Sequence, residues 1–249
     1  MKIEKFKKLA SGKYKVTFGT NKTIDLYEEV ILKYNLLAKP EITSNLLLEI
    51  TSDNEYYDVY YSGLKMIKTR PRSKKEVRDA LVKKEYNKSF IDQVIDTLQK
   101  QKYLDDGWYA KAYVSNGVIS SKGYYKLKNE LEKKGVAKED IMIALEDYTE
   151  EKELEILKKK IRTMINRNHS KSNVVLQKKI VVDLVSNGFH KEIIMKVLES
   201  QELKDDSLIM KKEYEKIYTK LSKKYSGKEF ELKLKQKLYQ KGIYYTEED

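Results

Sequence analysis

The chain has 249 residues, a formal charge of +12 and no cysteine, so disulfide frameworks, thiolate nucleophiles and cysteine metal sites are excluded. Met1–Lys8 has no continuous apolar stretch and does not read as a signal peptide. Apolar runs such as Leu46–Leu48 and Ile180–Val182 are far too short to cross a bilayer, so a soluble, cytoplasmic protein without membrane contact is expected.

In chain order, Ile3 to Leu9 reads as a first strand. Tyr14, Val16 and Phe18 then alternate with polar residues up to a turn at Gly19-Thr20-Asn21-Lys22, and alternation resumes at Ile24 and Leu26. That is the pattern of a hairpin. Asp25 with Glu28 has capping-box spacing for a short helix through Val30 and Ile31, and Pro40 breaks the chain. Thr43 or Ser44 can cap a long helix carrying Leu46, Leu47, Ile50, Tyr57, Leu64 and Ile67. Ser73 with Glu76 forms a second capping box directly after Pro71. Asn87 can cap the next helix, and Asp105 or Asp106 the one after. Residues 149–162, acidic at the start and basic at the end, predict a long exposed helix aligned with its own dipole. Asn166–Asn173, without one apolar side chain, predicts a linker.

From Arg70 onwards the apolar positions repeat. Val77, Leu81, Tyr86, Ile91, Val94 and Ile95 match Leu127, Leu131, Val136, Ile141, Ala144 and Leu145. A third copy supplies Ile180, Leu184, Phe189, Ile194, Val197 and Leu198, and a partial fourth supplies Leu234, Leu238 and Ile243. Three copies have glycine before the mid-repeat apolar residue, at Gly135, Gly188 and Gly242; the first has Glu85. Modules of this period bury their faces on sequence neighbours and present a long binding surface. The fold expected is mainly α: tandem three-helix repeats forming an elongated, curved array, with a small N-terminal β-hairpin or meander. Its divisions are 1–42, a connecting helix 43–69, repeats at 70–120, 121–170 and 171–225, and a partial repeat 226–249.

Chemistry-bearing constellations are scarce. Asp105-Asp106 and Asp205-Asp206 sit at equivalent places before helices, which favours capping over metal ligation. His169 and His190 belong to no triad or metal motif, and no phosphate-binding glycine loop occurs. No cofactor and no enzymatic activity are expected. Most of the 20 tyrosines, and Trp108, are assigned to packing rather than to base stacking. Charge is uneven: residues 1–69 carry 11 basic against 9 acidic side chains, 70–116 carry 11 against 7, 117–160 balance at 10 each, and 161–249 carry 19 against 13. Only five of the 51 basic residues are arginine, a bias that an AT-rich genome produces without selection for binding. Two of those five, Arg70 and Arg72, flank Pro71 at a helix start, where arginine suits phosphate or carboxylate.

The string Arg70-Pro71-Arg72-Ser73-x-x-Glu76, followed by Leu104-Asp105-Asp106-x-x-Tyr109-Ala110, resembles the R-x-R-S-x-x-E and L-D-D-x-x-F-A motifs of the RecX family, bacterial regulators of the recombinase RecA. Lys122-Gly123 and Leu131-x-x-Lys134-Gly135-Val136 are similar to that family as well, and the likeness covers about 70–249. Departures are Tyr109 for the usual Phe, the low arginine content, and a fourth copy that stops at Asp249 before a last helix. The resemblance implies a non-enzymatic, monomeric modulator in the groove of a RecA–DNA filament, restraining ATP turnover, strand exchange and repressor cleavage. The alternative is direct binding of single-stranded or duplex nucleic acid. Candidate contacts, chosen for charge and position at helix starts, are Arg70, Arg72, Lys74, Lys75, Lys111, Lys122 and Lys126.

Overall fold

A computed structural model describes residues 1–19, 22–168, 170–203 and 205–243. Thr20, Asn21 and His169, Tyr244-Tyr245 and the rest of the C-terminal segment lie outside the described residues. Three strands, β1 (Ile3–Lys8), β2 (Tyr14–Phe18) and β3 (Thr23–Leu26), form an antiparallel meander in the order β1-β2-β3. Val16, Phe18 and Leu26 point into a core shared with α1 (Glu28–Lys33) and the first turns of α2 (Ser44–Thr69). The expected hairpin and its third strand are therefore present.

The capping box at Asp25 and Glu28 does not form. Asp25 lies inside β3 opposite Lys15, and Tyr27 is the N-cap of α1 without a side-chain cap. Buried Asn54 of α2 fixes the corner instead. Its amide donates to the Asp25 carbonyl (3.1 Å) and its Oδ1 accepts the Tyr27 N–H (2.9 Å). Thr43 caps α2 as expected, accepting the Leu46 N–H.

Nine further helices follow in register with the apolar repeat: α3 (Lys74–Val82), α4 (Lys88–Lys100), α5 (Asp106–Ile119), α6 (Tyr124–Lys133), α7 (Lys138–Leu145), α8 (Glu150–Asn166), α9 (Asn173–Ser186), α10 (Lys191–Glu199) and α11 (Ser207–Ser222), with α12 (Gly227–Gln240) closing the described array. Every aligned apolar residue is buried except Tyr86 and Leu234, which are half-buried. The chain is thus mainly helical, with tandem three-helix units behind a small sheet. It divides into two compact units, one comprising Met1–Tyr109 with Lys134–Val136, the other Ala110–Lys133 with the chain from Ala137 onwards.

Packing groups the first and third short helix pairs with the long helix before each. Val59 of α2 joins Val77, Leu81, Ile91, Val94, Ile95 and Leu98, while Ile156, Leu157, Ile161 and Ile165 of α8 join the apolar faces of α9 and α10. The division at 70, 121 and 171 cuts the same period at another phase. The segment expected to be an exposed helix is consequently α8, one face of which is core. Its core residues Leu157, Ile161 and Ile165 recur at i, i+4, with Lys158–Lys160 between the first two. The expected linker is also a structured corner. The side chain of Asn168 donates to the Lys171 carbonyl and accepts the Lys171 N–H, and Ser172, buried, is the N-cap of α9.

The tyrosines of α2 pack as expected. Tyr56, Tyr57, Tyr60 and Tyr61 form a ring cluster with Tyr27. Their hydroxyls are used internally: Tyr56 with Thr97, Tyr60 with Gln101, Tyr61 with Glu29 and Tyr27 with Asp58. The hydrogen bond to Glu29, then burial, raises the Tyr61 hydroxyl to about 12. Trp108 departs from its assignment to the core, being 60% exposed.

Candidate functional site

The motif residues converge on the start of α3. Ser73 is its N-cap and is fully buried. Its Oγ accepts the Glu76 N–H (3.2 Å) and donates to the Lys134 carbonyl (2.7 Å), 61 positions on. Glu76 closes the capping box by accepting the Ser73 N–H (3.2 Å). Its carboxylate also accepts from Arg70 (3.1 Å), Lys134 (3.2 Å) and the Tyr109 hydroxyl (3.1 Å). Burial alone would favour the neutral acid. The hydrogen bonds from Arg70, the Ser73 N–H and Lys134 outweigh it and hold the Glu76 carboxyl at about 2.

Asp105 caps α5 as expected, accepting the Trp108 N–H (2.9 Å). Its neighbour Asp106 serves another helix. Buried, it accepts the N–H of Lys74 at the first turn of α3 (2.9 Å). The third unit repeats the arrangement, with Asp206 accepting the Asn173 N–H at the start of α9 (2.5 Å) and Asp205 taking the Ser207 N–H (3.0 Å). Helix starts have N–H groups without internal partners, and a carboxylate there also meets the positive end of the dipole. Among the described residues no group of three His, Asp or Glu is placed to hold a metal ion, and no helix is long and apolar enough to cross a membrane.

A recurring joint emerges. Ser73 bonds the carbonyl before Gly135, and Ser172 bonds the carbonyl before Gly242 (2.6 Å). In the second unit Gly123 takes the place of the serine. Its N–H bonds the Asn187 carbonyl (3.2 Å), and the Tyr125 N–H bonds the Gly188 carbonyl (2.9 Å). Each loop glycine has positive φ and lies tightly on the neighbouring helix start. A Cβ on Gly188 would fall 2.2 Å from the Lys126 nitrogen, and one on Gly242 2.7 Å from the Val174 Cβ. Both demands select glycine. Glu85, in the first loop, also has positive φ, but it is exposed.

These contacts account for most of the candidate cations. Arg70 is paired with Glu76, and Arg72 donates from Nε to the Met66 carbonyl (3.2 Å). Lys74 reaches Asp106 (3.8 Å), and the stem of Lys75 lies against Gly135. Lys122 pairs with Glu130 (2.7 Å) beside the Tyr113 ring, a hydrogen bond that raises the ammonium despite its partial burial. Lys126 donates to the side chain of Asn187 (3.3 Å). Lys111 is exposed on α5. The first-unit candidates gather around α3; Lys111, Lys122 and Lys126 belong to the second unit. Sequence reading found the local capping box and quoted Lys134 as part of a motif, but not its bond to Glu76 or the outward bond of Ser73.

Two family models match, described as the first three-helix domain of RecX over residues 60–98 and the second over 105–145. These bounds follow the packing, with the long helix leading each pair. The regulatory protein RecX of Streptococcus thermophilus is 31% identical over 247 residues, covering 97% of this chain and 93% of that protein. That of Listeria monocytogenes is 27% identical over 238 residues, covering 94% and 88%. A crystal structure of regulatory protein RecX matches with a TM-score of 0.69 at 21% identity, over 80% of this chain and 99% of that one, a likeness of fold. RecX from Lactobacillus salivarius matches with a TM-score of 0.55 at 26% identity, over 59% and 96%.

Proposed function

Since the chain belongs to the RecX family of regulatory proteins, we propose that it is a non-enzymatic inhibitor of the recombinase RecA, binding in the groove of the RecA–DNA filament. In that position it restrains ATP turnover, strand exchange and repressor cleavage. Family membership is the observation that carries this reading. The joints support it physically: units connected by equivalent contacts present equivalent side chains in series, which suits a target that itself repeats. Each contact then adds a small contribution over a large area.

Of the seven candidate cations, those tied into the joints act mainly by holding the helix starts in place. Lys111, exposed, is the contact residue whose change leaves the α3 network untouched. The test is the rate of ATP hydrolysis by RecA on single-stranded DNA, titrated with the full chain. Suppression by the parent is expected. Lys111→Glu should weaken it about tenfold or more, the loss of a charge-assisted contact. RecA turning over at the same rate at every concentration of the parent overturns the reading.

A further inference from the structure

The basic excess of the chain is concentrated in the hairpin of α11 and α12. Residues 207–243 hold 11 lysines against four glutamates. Lys212, Lys216 and Lys220 follow one another at i, i+4 along α11, and Lys223 and Lys224 continue the row just past its end. Together they line a groove with one acid, Glu215. Among the described residues none of the five makes a side-chain hydrogen bond or ion pair. The cations at the α3 start and Lys122 are all engaged within the protein.

Two like-charge pairs at i, i+4, 212/216 and 216/220, oppose the helix that carries them, by about 0.2–0.5 kcal/mol each. α11 has only half-buried apolar residues, Met210, Tyr214, Ile217 and Leu221 among them, to offset that repulsion. A polyanion lying along the helix removes the repulsion.

We infer that the lysine face of α11 binds the phosphate backbone of a nucleic acid, giving the protein a DNA contact of its own within the filament reading, on which its biological sense rests. The ladder repeats every four residues, about 6 Å, along a partner whose charges come every 3.4 Å or so of each strand. Each lysine therefore meets about every second phosphate. The face holds no arginine and no exposed apolar centre, so it offers point charges without the planar geometry that selects carboxylates. That favours a continuous phosphate chain over an acidic protein surface.

The experiment measures binding of the full chain to labelled single-stranded and duplex oligonucleotides by fluorescence anisotropy, across a salt series and without RecA. A ladder variant carries Lys212→Gln, Lys216→Gln, Lys220→Gln and Lys223→Gln; glutamine keeps the helix propensity, checked by circular dichroism. A control carries Lys5→Gln, Lys7→Gln, Lys65→Gln and Lys88→Gln, equal in charge and exposed elsewhere. The ladder variant should lose at least about tenfold in affinity, with a log–log salt slope shallower by about 3 on single strands, while the control keeps the parent's slope. Whichever oligonucleotide shows the loss is the strand form the ladder prefers. Equal losses in both variants, or a parent that binds neither oligonucleotide, overturn the assignment. If only RecA inhibition then falls in the ladder variant, the face meets acidic protein instead. RecA ATP hydrolysis run on the same proteins separates the two claims. A parent that inhibits RecA while the ladder is irrelevant to DNA sinks the ladder alone. A parent that leaves RecA untouched while the ladder variant loses DNA sinks the filament reading alone.

Discussion

The start of α3 and the face of α11 are both basic, yet they use charge in opposite ways. At α3, nine residues of helix bury Val77 and Leu81, and their flanking ions are consumed by the fold: Arg70 and Lys134 on Glu76, Lys74 on Asp106. On α11 the apolar residues are at most half-buried, and the lysines of one face share their groove with one acid, Glu215. A net charge of +12 gives no hint of this division. What distinguishes a binding cation from a structural one is the group opposite it.

Substitutions can break the comparison where the backbone is tightest. Gly188→Ala must accept an unfavourable positive φ and overlap the Lys126 backbone. The two together should cost about 3 kcal/mol or more in a denaturant titration. Gly227→Ala, at the start of α12, meets the same φ penalty with nothing within 4 Å, so it should cost only about 1–2 kcal/mol. Equal losses at the two positions would show that the joint is not close-packed.

Acid sharpens the contrast next. Glu76 ionises at about 2 in the folded chain against an ordinary 4.5. A depressed carboxyl stabilises the fold fully above its unfolded value, and that contribution disappears as pH falls from about 4.5 to about 2. Thermal midpoints of the parent should drop through this window, and Glu76→Gln should flatten that part of the profile while lowering stability near neutrality. A variant with the parent's slope would assign the acid sensitivity to other carboxylates.

The smallest effect lies on α11. Lys216→Glu replaces two repulsive i, i+4 pairs by attractive ones while turning its attraction to Glu213 into repulsion, and should stabilise the chain by about 0.5 kcal/mol at low salt, less as salt rises. A destabilised variant would mean that Lys216 has a structural partner.

What the sequence made legible was local or periodic. The capping box at Ser73, the cap at Asn87 and the apolar positions of every repeat follow from spacings of three and four. What it concealed was long-range. Ser73 looks like a complete cap, and nothing near it announces that its hydroxyl also reaches Lys134. Asp106 looks like a cap for its own helix because its true recipient lies 32 positions earlier. Trp108 is exposed despite its aromatic size. It precedes Tyr109 by one residue, about 100° around the helix from it, so when Tyr109, Tyr113 and Gly117 turn inward it faces solvent. The lysine ladder was readable in principle, at 212, 216, 220 and 224, but a bias toward lysine throughout the chain hid the alignment.

Glu85 carries a consequence for how such chains lengthen. Four equivalent loops hold Glu85, Gly135, Gly188 and Gly242, and only the glycine loops sit against a neighbouring helix start. Glycines therefore number the seams between modules, like the gaps between fence posts, and fall one short of the posts. A duplicated internal module brings its own seam with it and can be spliced in. A duplicate of the leading module would carry a glutamate into a seam with no room for a Cβ, so growth of the array by gene duplication is open from the second module onwards and closed to copies of the first.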